Sequence, residues 1–344
     1  MRTWVMIGAT LIVSGCWSPD HNSLTEGPTP YSPRADAPPG WIVTEHTSPY
    51  MCPDGDFAPV WLVRPADIDD TPQPVAVMYH DGAFDFVIEP EEDDPLAGPT
   101  FRTPTRLNTA WAMRRAWTVA GLYAQDDAHA DHTGALPAAF AARGVATLIP
   151  TNCWGDYWHN SADNADADMF ARHGRVLAKW TWRLASEPGF APDANLDFTP
   201  DSSQLYAVGL AEGGRGVAEV LHDPSLKAPA GVILDSVDDD MSVYWKDRDV
   251  WGDRLIGMER IWPQGADQAQ ASRLGTAPLP PRTILLYSNA DTQLPAGSID
   301  ELALRVQGMP DGKVSATTAT RHVQTAGDDG AAMQAVAHVL GDPG

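Results

Sequence analysis

Lysine is nearly missing from this chain: four positions, Lys179, Lys227, Lys246 and Lys313, in 344 residues. Lysine and arginine together number 23 against 46 acidic residues, a formal net charge of -23. A surface of that sign repels phosphate backbones and anionic headgroups, which excludes nucleic acid and acidic lipid as electrostatic partners. Long apolar runs are missing too. The N-terminal Trp4–Val13 stretch is only about ten residues, too short to span a bilayer, and no later stretch is apolar enough to span one. There is no phosphate-cradling loop, so no nucleotide or other cofactor is implied, and no histidine–cysteine–carboxylate spacing fits a closed metal site.

What is present begins with the ends. Met1-Arg2-Thr3 is a short basic segment ahead of the apolar run, and Val13-Ser14-Gly15-Cys16 resembles a bacterial lipobox, in which small residues precede a cysteine that becomes the lipidated N-terminus. Residues 1–15 then read as a lipoprotein signal peptide and residues 16–40, rich in Pro, Ser, Thr and Gly, as a tether. That resemblance implies an exported bacterial lipoprotein, membrane-anchored through Cys16 on the periplasmic or cell-surface side. With Cys16 acylated, Cys52 and Cys153 are an even pair in an oxidising compartment, and a disulfide between them is the expectation.

Residues 41–344 are long enough for one large domain with its own core. Extended apolar runs are predicted as strands at 41–45, 59–63, 75–79, 145–149, 205–208, 231–234, 283–287 and 314–318. Helical patterns fall between the later ones, at 136–143, 169–185, 212–221, 299–307 and 331–340. Two strands able to form a hairpin, followed by alternating strand and helix, predict a mostly parallel eight-stranded α/β sheet flanked by helices. In such sheets catalytic groups collect at the carboxyl ends of the strands.

The most telling stretch is Leu205-Tyr-Ala-Val-Gly-Leu-Ala-Glu-Gly-Gly-Arg-Gly216. An apolar strand runs into Gly209-x-Ala211-x-Gly213 and then a helix, the strand–turn–helix context in which G-x-S-x-G carries a nucleophilic serine. After the third strand comes His80-Asp81-Gly82-Ala83-Phe84; after the seventh, Ser288-Asn-Ala-Asp291-Thr-Gln-Leu-Pro295; after the eighth, Arg321-His322. Taken together these segments resemble the α/β-hydrolase superfamily over nearly all of residues 41–344, in its secreted esterase and prolyl-oligopeptidase-like branches.

The resemblance implies particular roles. The backbone N–H of Ala83 or Phe84 and that of Glu212 would face a developing oxyanion, Asp291 would be the acid and His322 the base, with Asp235 as the alternative acid. Ala211 occupies the nucleophile position and offers no oxygen, sulfur or carboxylate, so no acyl intermediate can form on it. Two readings stay open. One is a catalytically degenerate relative that binds a carbonyl-containing ligand or a protein. The other is a hydrolase working through water activated by His322 or through a displaced serine, for which Ser202, Ser203 and Ser236 are available.

Two segments interrupt the alternation, 85–131 and 237–280, where lid or cap insertions are expected. The aromatic residues of the second, Tyr244, Trp245, Trp251 and Trp262, together with Trp154, Tyr157 and Trp158, could line a cleft for a small-molecule or peptide ligand or pack cap against body. Two further clusters read as solvated turns. Asp193-x-Asn195-x-Asp197-x-Thr199-x-Asp201-x-x-Gln204 imitates a calcium loop but has Phe198 and Gln204 where glycine and glutamate belong. Asp126-Asp127-x-His129-x-Asp131-His132 has metal-binding side chains at a spacing that closes no site.

Overall fold

The computed structural model describes residues 41–51, 57–68, 71–79, 136–150, 167–191, 196–210, 213–237, 274–291, 297, 299–319, 323–325 and 329–342. Their strands are β1 (Trp41–Met51), β2 (Phe57–Pro65), β3 (Gln73–Tyr79), β4 (Ala146–Pro150), β5 (Pro200–Leu210), β6 (Gly231–Asp235), β7 (Arg282–Ser288) and β8 (Lys313–Thr317). The helices are α1 (Leu136–Ala141), α2 (Ala167–Ser186), α3 (Gly214–Leu221), α4 (Asp300–Gln307) and α5 (Asp329–Leu340). The eight strands form one sheet in the order β1-β2-β4-β3-β5-β6-β7-β8. β2 is antiparallel to both neighbours, and every pair from β4 to β8 is parallel.

The strand interiors are continuous apolar runs because both faces of a parallel sheet are covered. Successive side chains alternate between two cores. Val75, Val77, Leu205, Ala207, Val232, Leu234 and Leu285 enter one, while Ala76, Met78, Tyr206, Val208, Ile233, Ile284 and Leu286 enter the other. The first is closed by α2, α3 and α4 through Leu177, Trp182, Val217, Leu221, Leu302 and Val306. The second is closed by α1 and α5 through Leu136, Phe140, Ala332, Val336 and Val339. The helices bury residues three and four apart, the spacing of one helix face.

The predicted strands and helices all form, with ends shifted by a few residues. The largest shifts are at β1, which runs on to Met51 instead of 45, and at β5, which starts at Pro200 instead of 205. Its polar lead-in, Asp201 to Gln204, bulges away from β3 between Gln73↔Pro200 and Val75↔Leu205. Within it the Asp201 carboxylate accepts from Ser203 N, Ser203 Oγ and Gln204 Nε2. Upstream, Asp197 is gripped by the Arg64 guanidinium through both oxygens. The two carboxylates of the calcium-like stretch that fall among the described residues are therefore spent on turn and ion-pair contacts.

Where α2 meets the end of α3, Lys179 Nζ donates to Asp223 Oδ2 at 2.9 Å, and Ser225 N and Oγ donate to Oδ1 at 3.0 and 2.6 Å. The Lys179 ammonium and the Ser225 hydroxyl hold the Asp223 carboxyl down at about 2, from an ordinary 3.8. The folded state thus binds this proton more weakly than the unfolded chain, so the stabilisation is complete above pH 4 or so and is lost as pH falls towards about 2. For this partly exposed group we expect about 1–2 kcal/mol. Urea midpoints of wild type and Lys179→Met, taken at pH 6 and pH 3, should differ by less at the lower pH; an equal gap at both would remove the assignment.

Candidate functional site

Because β3 and β5–β8 all run the same way, their carboxyl ends lie along one edge of the sheet. At its centre, β5 ends at Leu210 and α3 begins at Gly214, so the chain reverses from strand to helix in three residues. The glycines make this approach possible. A Cβ on Gly209 would lie 2.8 Å from the Gly214 Cα, and one on Gly216 would lie 2.6 Å from Cγ of Tyr79. Both are closer than real side chains come, so helix and strands could not pack here with larger residues. Tyr79 itself ends β3 beside Gly209, is buried, and donates its hydroxyl to the Ala178 carbonyl on α2 at 2.9 Å. Burial pushes its phenol well above the ordinary value, so it stays protonated and serves packing, not proton transfer.

Next along the edge, β6 ends at Asp235, whose side chain is fully buried. Its Oδ1 accepts from Gln324 N at 2.8 Å and from Ser236 Oγ at 3.1 Å; its Oδ2 accepts from Thr325 N at 2.7 Å and from Thr325 Oγ1 at 2.6 Å. Burial raises the carboxyl above its ordinary value, and these hydrogen bonds to Thr325, Gln324 and Ser236 oppose the rise. Ser236 follows with φ 54°, in the left-handed region that non-glycine residues enter at a cost of roughly 1–2 kcal/mol. The turn is held by Ser236 N donating to Leu286 O at 2.8 Å. Ser236 has no exposed surface and its hydroxyl is directed at Asp235, which is not the posture of a displaced nucleophile.

The segment after β7 is fastened to the segment after β8. Ser288 Oγ donates to Ala319 O and accepts from Ala290 N at 3.0 Å, while Asn289 N donates to Thr317 O at 3.0 Å. Thr317 Oγ1 in turn donates to Gln324 Oε1 at 2.6 Å. Asp291, half-buried, emerges from this turn three residues past β7. His322 belongs by sequence to the stretch between Thr317 and Gln324, but the residue itself lies outside the described residues. So do Ala83, Phe84, Ala211, Glu212, Cys16, Cys52 and Cys153, the insertion 85–131, and 238–273 of the second insertion.

No protein-family model matches the sequence, and no curated protein matches it. The fold does find counterparts among solved structures. A carboxyl esterase from the fungus Tuber melanosporum aligns at 13% identity over 89% of this chain and 86% of that one, with a TM-score of 0.49. An esterase from the archaeon Pyrobaculum calidifontis aligns at 15% identity over 87% and 83%, with a TM-score of 0.48. Oligopeptidase B from Leishmania major aligns at 12% identity with a TM-score of 0.50, over 88% of this chain and only 37% of its own. The last, with the parallel sheet and its two helical layers, decides the architecture. This is an α/β-hydrolase fold.

In this α/β-hydrolase fold the end of β5 lies between β3 and β6 in the sheet, Asp291 follows β7, and the buried Val323–Thr325 follow β8. Sequence reasoning passed over the residues that fasten those segments: Ser288, Thr317, Gln324 and Thr325. A signal for Asp235 existed, since Gly-Val-Ile-Leu-Asp is an apolar strand ending in a carboxylate that a sheet interior would have to neutralise or satisfy. No comparable signal marked its partners Gln324 and Thr325, which are ordinary polar residues about ninety positions away. Among the described residues no group of three or more His, Cys, Asp or Glu is placed to hold a metal ion.

Proposed function

We propose that this protein is an exported, lipid-anchored α/β-hydrolase-fold protein that has no nucleophile at its elbow and binds a carbonyl-containing ligand or peptide. The observation that carries the reading is Ala211 in Gly209-x-Ala211-x-Gly213, between a strand and a helix packed as tightly as a nucleophile elbow requires. A methyl group has no lone pair to attack a carbonyl and no proton for His322 to remove. The oxyanion amides expected at Ala83 or Phe84 and Glu212 would still complement a polarised carbonyl, with Asp291 orienting His322 beside them. Comparing hydrolysis of a short-chain aryl ester by wild type and by Ala211→Ser tests this. A silent wild type with an active serine variant supports it. Turnover by the wild type that the substitution barely changes would overturn it.

A second reading is favoured by the presence of both Asp291 and His322: a weak hydrolase in which His322 activates water, or in which a serine elsewhere attacks. A fluorophosphonate probe separates its two forms, because only a nucleophilic serine becomes labelled. The buried, Asp235-bonded hydroxyl of Ser236 makes labelling at that position unexpected.

Anchoring belongs to the same proposal and rests on Val13-Ser14-Gly15-Cys16 and the Pro-rich stretch behind it. Cys16→Ala is expected to move the protein out of the membrane fraction, and unchanged membrane association would sink the anchor. A Cys52–Cys153 disulfide is part of it too. Cys52 follows the end of β1 and Cys153 comes three residues after β4, and both strands finish beside the start of β2. Intact mass of the membrane-extracted protein reads the acyl group and the missing thiol hydrogens together.

A further inference from the structure

The proposed pair with His322 needs one acid, Asp291, and a second carboxylate, Asp235, is buried at the same edge of the sheet. A carboxylate taken fully out of water is costly unless every lone pair is satisfied. Asp235 meets that condition. Its two oxygens provide about four acceptor positions, and they are filled by Gln324 N, Thr325 N, Thr325 Oγ1 and Ser236 Oγ. No acceptor capacity remains for an imidazole N–H. The donors are also informative. Three of the four come from two consecutive residues, and two are backbone amides, so the carboxylate grips the chain at Gln324–Thr325 and not a side chain passing by.

The grip is reinforced. Gln324 is held from β8 through its side chain, with Thr317 Oγ1 2.6 Å from Gln324 Oε1. Val323, Gln324 and Thr325 are all buried. His322 is the residue immediately before this buried triplet. A residue one peptide unit from a fastened segment has its Cα position largely set by that segment, since each residue adds only two soft backbone dihedrals.

We infer that Asp235 is a positioning residue for the histidine: its buried carboxylate fastens Gln324 and Thr325 to the end of β6 and thereby restrains the chain that leads into His322, while the role of acid stays with Asp291. This rests on the reading of His322 and Asp291 as the surviving catalytic pair. The division of labour is between a carboxylate that orients backbone and one that orients a side chain, as supporting groups orient first-contact residues in other sites.

The test has two independent readouts on the full-length chain. The first is amide hydrogen exchange in Asp235→Asn, which is close to isosteric but turns one acceptor oxygen into a donor facing the Gln324 and Thr325 amides. Exchange at 323–325 should accelerate by about tenfold or more while Leu205–Val208 in β5 stays at wild-type rates. Unchanged exchange at 323–325 would overturn the inference, and so would uniform acceleration across the sheet, which a purely structural role predicts. The second is kinetic, in the Ala211→Ser background. Asp291→Asn should lower kcat by about 10⁴-fold, as loss of the orienting acid does. Asp235→Asn should lower kcat by about 10–100-fold, the usual loss when a supporting partner is removed, with KM little changed. The reverse ranking would make Asp235 the acid.

Should Asp235→Asn not fold, Thr325→Val and Thr325→Ser carry the exchange test. The valine variant should accelerate exchange at 323–325 and the serine variant, which keeps the hydroxyl, should restore it; equal rates in the two would overturn the clamp. An Ala211→Ser chain without activity would count against the functional reading alone, because the exchange result stands without it.

Discussion

Ala211→Ser is expected to raise hydrolysis of a short-chain aryl ester from background to clear turnover, by on the order of 10³–10⁴-fold in kcat. Removing a complete triad from a serine hydrolase costs about 10⁶-fold, and the oxyanion donors and binding alone retain about 10³–10⁴-fold over water. Restoring the nucleophile therefore has a ceiling of about 10⁶-fold. Misplacement of a reacting group by about 1 Å costs about 10²-fold, and a serine introduced on an elbow occupied by alanine has its own rotamer to find. The expected gain lies between those limits. The close approach of Gly209 to Gly214 favours success, since the strand-to-helix packing that a nucleophile elbow needs is already built. Two controls give the result meaning. His322→Ala in the serine background should abolish the gain, and the fluorophosphonate probe should label the serine variant at residue 211 and not the wild type.

The largest stability effect is expected at Trp182. This side chain on α2 has no exposed surface, and it packs in the core layer shared by α2, α3 and α4. Its indole Nε1 donates to Lys227 O at 2.7 Å, tying α2 to the connection between α3 and β6. Trp182→Ala removes the buried ring and leaves a cavity as well as a carbonyl without its donor. Large-to-small changes of this kind cost about 3–5 kcal/mol, and the lost hydrogen bond adds about 1 kcal/mol. In a thermal melt this corresponds to a Tm lower by roughly 10 °C. Trp182→Phe helps to separate the two contributions, because it keeps the six-membered ring while losing the donor and the smaller ring. A cost for the phenylalanine variant as large as for alanine would mean that the hydrogen bond, not the packing, dominates. Since Trp182 is remote in sequence from every proposed site residue, neither variant should alter the relative activities of the Ala211→Ser series once folded.

Much of the architecture was legible in the residues. Gly231-Val-Ile-Leu-Asp235 and Gln73–Tyr79 are short apolar runs with turn residues beside them, and such runs make buried parallel strands whatever surrounds them. The close packing of β5 on α3 was legible because glycine spacing is a local requirement, and Gly209 and Gly216 meet neighbouring backbone and ring at distances only glycine tolerates. The polar start of β5 was not. Asp201-Ser-Ser-Gln204 carries turn chemistry, and its own hydrogen bonds are turn-like, yet neighbouring β3 extends the strand back to Pro200. There the local turn chemistry persists as a bulge, and pairing resumes at Val75↔Leu205.

The sequence by itself determined the order of strands and helices and the close passage from β5 into α3, because periodicity and glycine spacing are properties of neighbouring residues. Only the tertiary structure decided that β4 inserts between β2 and β3, that two separate cores sandwich the sheet, and that Asp235 is committed to Gln324 and Thr325. Those outcomes depend on contacts between residues far apart in the chain. A carboxylate at a strand end has the same local sequence whether it serves an imidazole or fastens a backbone; which donors fill its lone pairs is settled when the strands and the segments beyond them are brought to one edge.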